Sequence, residues 1–158
     1  MIVFSPQYFA GVLDSDGSFS ISKRHLKRIK CNYTCMIGLT WTKTDKVKEF
    51  MDFICLHYGG SYALCLPSNT GNFKNSKPVL KYCATGVAAE KIITDVMPYL
   101  VLKKIQAENL LKVRTIVKGI FGNGVKRTED ETKSLDDLYI LNKSLNSKNG
   151  KGYDTISL

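Results

Sequence analysis

The residues of this chain best suited to chemistry are two carboxylates one residue apart, Asp14 and Asp16, followed by Gly17. The stretch before them, Phe9-Ala10-Gly11-Val12-Leu13, is apolar and small. Ser5-Pro6 reads as a helix start, with Ser5 as N-cap and Pro6 at the first helical position. Gly17 reads as the stop, because glycine enters the left-handed conformation without steric cost. Asp14 and Asp16 then lie at the C-terminal end of a short helix. Partial negative charge there disfavours an acid by about 0.3–1 kcal/mol. Two acids in that position imply a compensating cation, and oxygen ligands alone suit a hard one such as Mg²⁺. Gly11 and Ser15, four apart, share a face with Ala10 beside them, and a face without bulk admits another backbone closely. Phe9, Val12 and Leu13 point into the core.

Charge narrows the partner. Among 158 residues, 23 Lys and Arg stand against 14 Asp and Glu, for a net charge of +9. That excess implies a polyanion, most simply nucleic acid. The length suits one domain, with a core over 1–125 and an extension over 126–158. Cysteines at 31, 35, 55, 65 and 83 form no C-x-x-C, and His25 and His57 stand in no metal-ligand spacing. They read as free thiols in a reducing compartment. No secretory signal is visible, and no run approaches about 18 apolar residues, so no membrane partner is expected.

The elements that position the acids follow from periodicity. After Gly17 the pattern changes to period 2: Ser18, Ser20, Ser22 and Arg24 alternate with Phe19, Ile21 and Lys23, a strand with an apolar inner and a hydroxyl-rich, basic outer face. His25 to Lys30 is a basic turn. A second strand, Asn32 to Thr42, places Cys35, Ile37, Leu39 and Trp41 on one face and Thr34, Met36, Gly38, Thr40 and Thr42 on the other. Thr44 to Tyr58 is an amphipathic helix closed by Gly59-Gly60. Tyr62 to Leu66 is a third strand, Pro67 to Pro78 a polar loop containing Lys74, and Val79 to Thr85 a fourth strand. Helices follow over Val87 to Met97, Val101 to Phe121 (Leu102 and Ile105 among its apolar positions) and Thr132 to Leu145 (Leu141 among them), then a basic tail. The order is αββαββα with a helical extension: an α+β fold with a four-stranded antiparallel sheet backed by helices.

The stretch Phe9 to Gly17 resembles the signature of the LAGLIDADG homing endonucleases. Ala10, Gly11, Asp14, Asp16 and Gly17 match the name letter for letter; Phe9, Val12, Leu13 and Ser15 are conservative departures. The resemblance implies a site-specific endonuclease that makes metal-dependent double-strand breaks with short 3′ overhangs at a long pseudo-palindromic site. One copy of the motif implies a homodimer through the Ala10, Gly11 and Ser15 face. The sheet is then a saddle in the DNA major groove, with Arg24 reading guanine and Ser18, Ser20, Ser22, Thr34, Thr40 and Thr42 making weaker contacts. Lys23, Lys27, Arg28, Lys30 and Lys74 are expected on DNA, most of them on phosphates.

For the chemistry, the resemblance implies a metal on Asp16 and on the backbone carbonyl of Ser15, and a structural role for Asp14. The metal is Mg²⁺ or Mn²⁺, with Ca²⁺ able to bind without supporting cleavage. Met97 to Ala107 resembles the family's second segment, which places Lys103, with Lys104 as the alternate, at the active site. Lys43 matches a position near the attacking water, with Thr42 the alternative. Val47 stands where the family often has a further basic residue. The implied setting is intracellular and reducing, in a mitochondrion, a chloroplast or a prokaryotic cytoplasm. Two other readings share the scaffold: an intron-RNA-binding maturase and a non-catalytic DNA-binding regulator.

Overall fold

A computed structural model describes residues 5–24, 32–67, 77–120 and 127–147, with the side chains of 119 and 120 excepted. In chain order the elements are α1 (Pro6–Asp16), β1 (Ser18–Arg24), β2 (Asn32–Thr42), α2 (Asp45–Tyr58), β3 (Ser61–Cys65), β4 (Val79–Thr85), α3 (Gly86–Val96), α4 (Lys104–Ile120) and α5 (Glu129–Leu145). The four strands form one antiparallel sheet in the order β1-β2-β4-β3. This is the expected αββαββα arrangement with a further helix.

The period-2 pattern sets the two faces. Phe19, Ile21, Cys35, Ile37, Leu39, Leu80, Tyr82 and Ala84 are buried on one side. Register holds them together: Phe19 lies opposite Ile37, which lies opposite Ala84. The helices cover this side with Phe9 and Leu13 of α1, Phe50, Met51 and Ile54 of α2, Ile92 and Ile93 of α3, and Leu110 and Val113 of α4. The rings of α1 and α2 interlock there, with Phe9 stacked on Tyr58 at 5.5 Å and Phe50 edge-on to Phe9 at 6.2 Å. The opposite side carries exposed Ser18, Arg24, Thr40, Thr42, Lys81 and Thr85, and no described element covers it.

Caps set the helix ends. Ser5 Oγ accepts from the Tyr8 amide, and Thr44 Oγ1 from the Val47 amide. Gly59 and Gly60 both have positive φ, 90° and 84°, which turns α2 sharply into β3. β3 begins one residue earlier than the pattern predicts, at Ser61.

Two expectations fail at the start of α4. Pro98 sits in a single 3₁₀ turn, Met97–Tyr99, and the chain stays irregular through Lys103. Leu102 is therefore 68% exposed rather than core, next to Val101 at 80%. Ile105 is exposed as well, while Gln106, Ala107 and Asn109 take the buried positions. The apolar spacing of 101–105 mimics a helical stripe, but the proline ahead of it sets a different path.

α5 begins at Glu129, three residues earlier than expected, because Thr128 and Glu131 form a reciprocal capping box. Leu141 is exposed, and Asn142 takes the inward position beside Leu145. Asn142 Nδ2 and Asn146 Nδ2 both donate to the Phe19 carbonyl, at 3.0 and 2.7 Å. Phe19 is on β1, an edge strand, so α5 supplies that carbonyl with the donors a neighbouring strand would give. Four cysteines, Cys35, Cys55, Cys65 and Cys83, are free. Burial pushes the Cys35 thiol up to about 12. No described helix is long and apolar enough to cross a membrane.

Asn142→Ala leaves the Phe19 carbonyl with one donor, and a stability loss of about 1–3 kcal/mol is expected. Urea denaturation measures it; an unchanged midpoint would remove α5 from the role of edge cover.

Candidate active site

Asp14 and Asp16 both lie in the last turn of α1, and they do different things. Asp14 turns toward the segment before α4: its Oδ2 accepts from the Val101 amide at 2.8 Å and its Oδ1 from the Lys103 amide at 3.0 Å. Lys103 answers in the other direction. Its Nζ donates to the carbonyls of Leu13, Ser15 and Gly17 at 2.9, 3.2 and 2.7 Å. Helices end with carbonyls that have no intrahelical partner; here one ammonium serves those of Ser15 and Gly17, and adds a second donor to the Leu13 carbonyl, which also accepts from the Gly17 amide at 3.0 Å. The cation that two acids at a helix C-terminus require is therefore present within the chain itself. Burial draws the Lys103 ammonium's pKa below its ordinary value, against the opposing pull of Asp14 and then Asp16.

Gly17 ends α1 for a reason other than the expected one. Its backbone is extended (φ −73°, ψ 155°), not left-handed. A Cβ there would lie 2.6 Å from the Leu13 carbonyl oxygen and 2.8 Å from Leu13 Cδ2. The glycine is required by close packing as the chain passes from α1 into β1.

Asp16 is exposed, and Trp41 Nε1 donates to its Oδ2 at 2.9 Å. Gly11 and Ser15 are exposed on α1 as expected, and a Cβ on Gly11 would meet nothing within 4 Å. Ala10 is fully buried in the chain's own core, so it lies beneath that face rather than on it. The Ser15 carbonyl, expected to hold metal, receives Lys103.

The outer face of the sheet presents rows of small and polar side chains. Arg24 pairs with Asn32, Ser22 with Thr34, Ser20 with Met36, and Ser18 with Gly38, whose carbonyl accepts from the Ser18 hydroxyl at 3.3 Å. Thr40 lies opposite Lys81, which lies opposite Ala63. Thr42 closes the face at the end of β2. The alternation of Val79, Lys81, Cys83 and Thr85 with Leu80, Tyr82 and Ala84 marks Lys81 and Thr85 as members of this face; only β1 and β2 were assigned to it from sequence.

Lys23 is a correction. Its position in β1 puts it on the helix side, where it forms an ion pair with Asp136 of α5. Tyr33 joins through its hydroxyl, 2.6 Å from Asp136 Oδ1. Lys23 is thus paired within the chain and absent from the outer face. Lys43 is exposed just past β2, its amide donating to the Pro78 carbonyl at 2.8 Å, and no described hydrogen bond joins its ammonium to Asp16. Lys104 is exposed at the first position of α4. Lys27, Arg28, Lys30 and Lys74 lie outside the described residues.

No family model matches the chain, and no curated protein matches it. Solved structures do. An archaeal intron-encoded homing endonuclease, I-Vdi141I, complexed with DNA, is similar at a TM-score of 0.67 and 17% identity over 94% of this chain and 88% of that one. The homing endonuclease I-CvuI, in complex with its target in the presence of 2 mM Ca, is similar at 0.57 and 18%, over 84% and 93%. The LAGLIDADG meganuclease I-CpaMI, bound to uncleaved DNA, is similar at 0.58 and 15%, over 85% of this chain and 49% of that one. At these identities the likeness is one of fold.

Asp14→Asn replaces one of two acceptors by a donor facing a backbone N–H, and Lys103→Met strips the shared donor from three carbonyls. Each is expected to lower stability by about 1–3 kcal/mol. The double variant should lose less than the sum, because both hold the same joint. A thermal-melt double-mutant cycle reads this; strict additivity would separate the two contacts.

Proposed function

We propose that this chain, which has the fold of the LAGLIDADG homing endonucleases, is a member of that family that cuts double-stranded DNA at a specific site with a divalent metal. The observation that carries the reading is the placement of an exposed carboxylate, Asp16, at the end of α1, where the chain enters an uncovered, hydroxyl-bearing sheet face. The signature residues Ala10, Gly11, Asp14, Asp16 and Gly17 support it, as does the net charge of +9.

The donors of this chain fit a hard cation. Among the described residues, no three His, Cys, Asp or Glu side chains gather in one place. Mg²⁺ does not need such a cage: it is commonly held by one or two carboxylates, with waters and substrate phosphates completing the shell. Asp16 would hold it, with the Ser15 carbonyl nearby shared with Lys103. Bound there, the ion would neutralise charge on the scissile phosphate and activate water. Lys103 keeps a positive charge at the α1 tip, and Lys43 supplies a second basic group past β2. Arg24, Thr40, Thr42 and Lys81, with Ser18, Ser20, Ser22 and Thr34, meet the major groove.

Cutting both strands needs two such tips, and this chain has one. A two-fold dimer would place Gly11 and Ser15 of α1 against their counterparts. Val101 and Leu102, exposed in the segment that Asp14 ties to α1, add apolar surface near the end of that helix. The 49% share of I-CpaMI that the chain spans is consistent with two copies doing the work of one longer protein.

Selection of cleaved duplexes from a random library with Mg²⁺ tests the reading. Convergence on one long pseudo-palindromic site is expected, and Asp16→Asn should reduce cleavage to background while binding persists. Undiminished cleavage by that variant would refute the role of Asp16. Gly11→Leu tests the dimer cleanly. Gly11 is exposed and a Cβ there meets nothing within 4 Å, and replacing a helical glycine should stabilise the isolated chain by about 0.5–1 kcal/mol. Sedimentation of the DNA complex should nevertheless show the dimer lost; a persistent dimer places the interface elsewhere.

A further inference from the structure

We propose that Trp41 is a positioning residue for the Asp16 carboxylate: its indole N–H fixes Asp16 by Oδ2 and so sets how the chain presents that carboxylate to a divalent cation. This rests on the reading of Asp16 as a metal ligand. From sequence, Trp41 belongs to the core face of β2. Its ring does pack there, half-buried and 5.3 Å from the ring of Phe50 at 41°. Its N–H reaches beyond the core to Asp16, at 2.9 Å.

The geometry suits this role in three ways. An indole N–H only donates, so it binds the ionised carboxylate and cannot itself compete for a cation. It engages one oxygen, and no described residue donates to the other, Oδ1. The indole is also held on the aromatic cluster that seats α1 itself: Phe50 contacts Trp41, Tyr8 and Phe9. The carboxylate and the helix that carries it are therefore located by one rigid group. Side chains that orient a metal ligand in this way typically change metal affinity or activity by about 10–100-fold when removed.

Trp41 is the only tryptophan in the chain, which makes its state directly observable. In the metal-free protein, the indole N–H resonance should shift on Asp16→Asn, with the fold retained. In the complex with a selected duplex, adding Ca²⁺ should change tryptophan emission, and the response should vanish in Asp16→Asn. Trp41→Phe keeps a ring against Phe50 and removes the donor. It should raise the Mg²⁺ concentration for half-maximal cleavage by about 10-fold or more, with metal-free duplex affinity and melting temperature unchanged. Trp41→His, which can return a ring N–H, should recover part of the loss.

An unchanged Mg²⁺ dependence in Trp41→Phe, or an indole resonance blind to Asp16→Asn, overturns the inference while leaving the function intact. Cleavage that does not require Asp16 overturns the function reading, and this inference with it.

Discussion

A reciprocal clasp between α1 and the segment before α4 fixes the acidic tip. Asp14 holds the amides of Val101 and Lys103; Lys103 holds the carbonyls of Leu13, Ser15 and Gly17. Each half of the clasp supplies hydrogen-bond partners to backbone groups of the other element. A helix C-terminus with an acid on it is electrostatically unfavourable alone, and the ammonium offsets this locally. With the end of α1 pinned, Gly17 can pass tightly under Leu13 and β1 can start in register with β2. Asp16 is then left outside the clasp, on the exposed side of the same helix end. The two carboxylates of one motif are thereby separated into a structural one and an exposed one.

Much of the fold was legible because its signals are local. Ser5-Pro6 and Thr44 cap the helices they precede, and the alternation from Ser18 to Thr42 sorts core from surface residue by residue. Where the reading failed, distant contacts decided. Lys23 looked like a surface cation, yet its partner Asp136 lies on the last helix. Leu102 and Ile105 fit a helical stripe, but Pro98 and the Asp14 contacts shape that segment otherwise. Ala10 was read as part of a partner-facing surface, yet it is buried in its own core. Gly17 carries no positive φ, and only the proximity of Leu13 explains it.

The candidate site was legible in Asp14 and Asp16 through the Phe9 to Gly17 stretch, and in Lys103 through the separate segment Met97 to Ala107. The direction in which Lys103 points was not, since nothing local requires an ammonium to face three carbonyls. Trp41 was visible only as an apolar residue on the correct strand face. Its polar edge becomes informative once α1 is laid across β2. The sheet's outer face was half legible: β1 and β2 alternate clearly, and β4 does so equally, but its face is assigned only through its pairing with β2.

The two margins of the sheet are unequally guarded. Along β1, the side-chain amides of Asn142 in α5 and of Asn146 just past its end occupy a backbone acceptor. At the other margin β3 is five residues long and mostly exposed, and no described side-chain amide occupies its backbone as those two do on β1. Brevity is a modest safeguard there, and strand-to-strand misassembly between partly unfolded copies of this chain would begin at that rim rather than at β1.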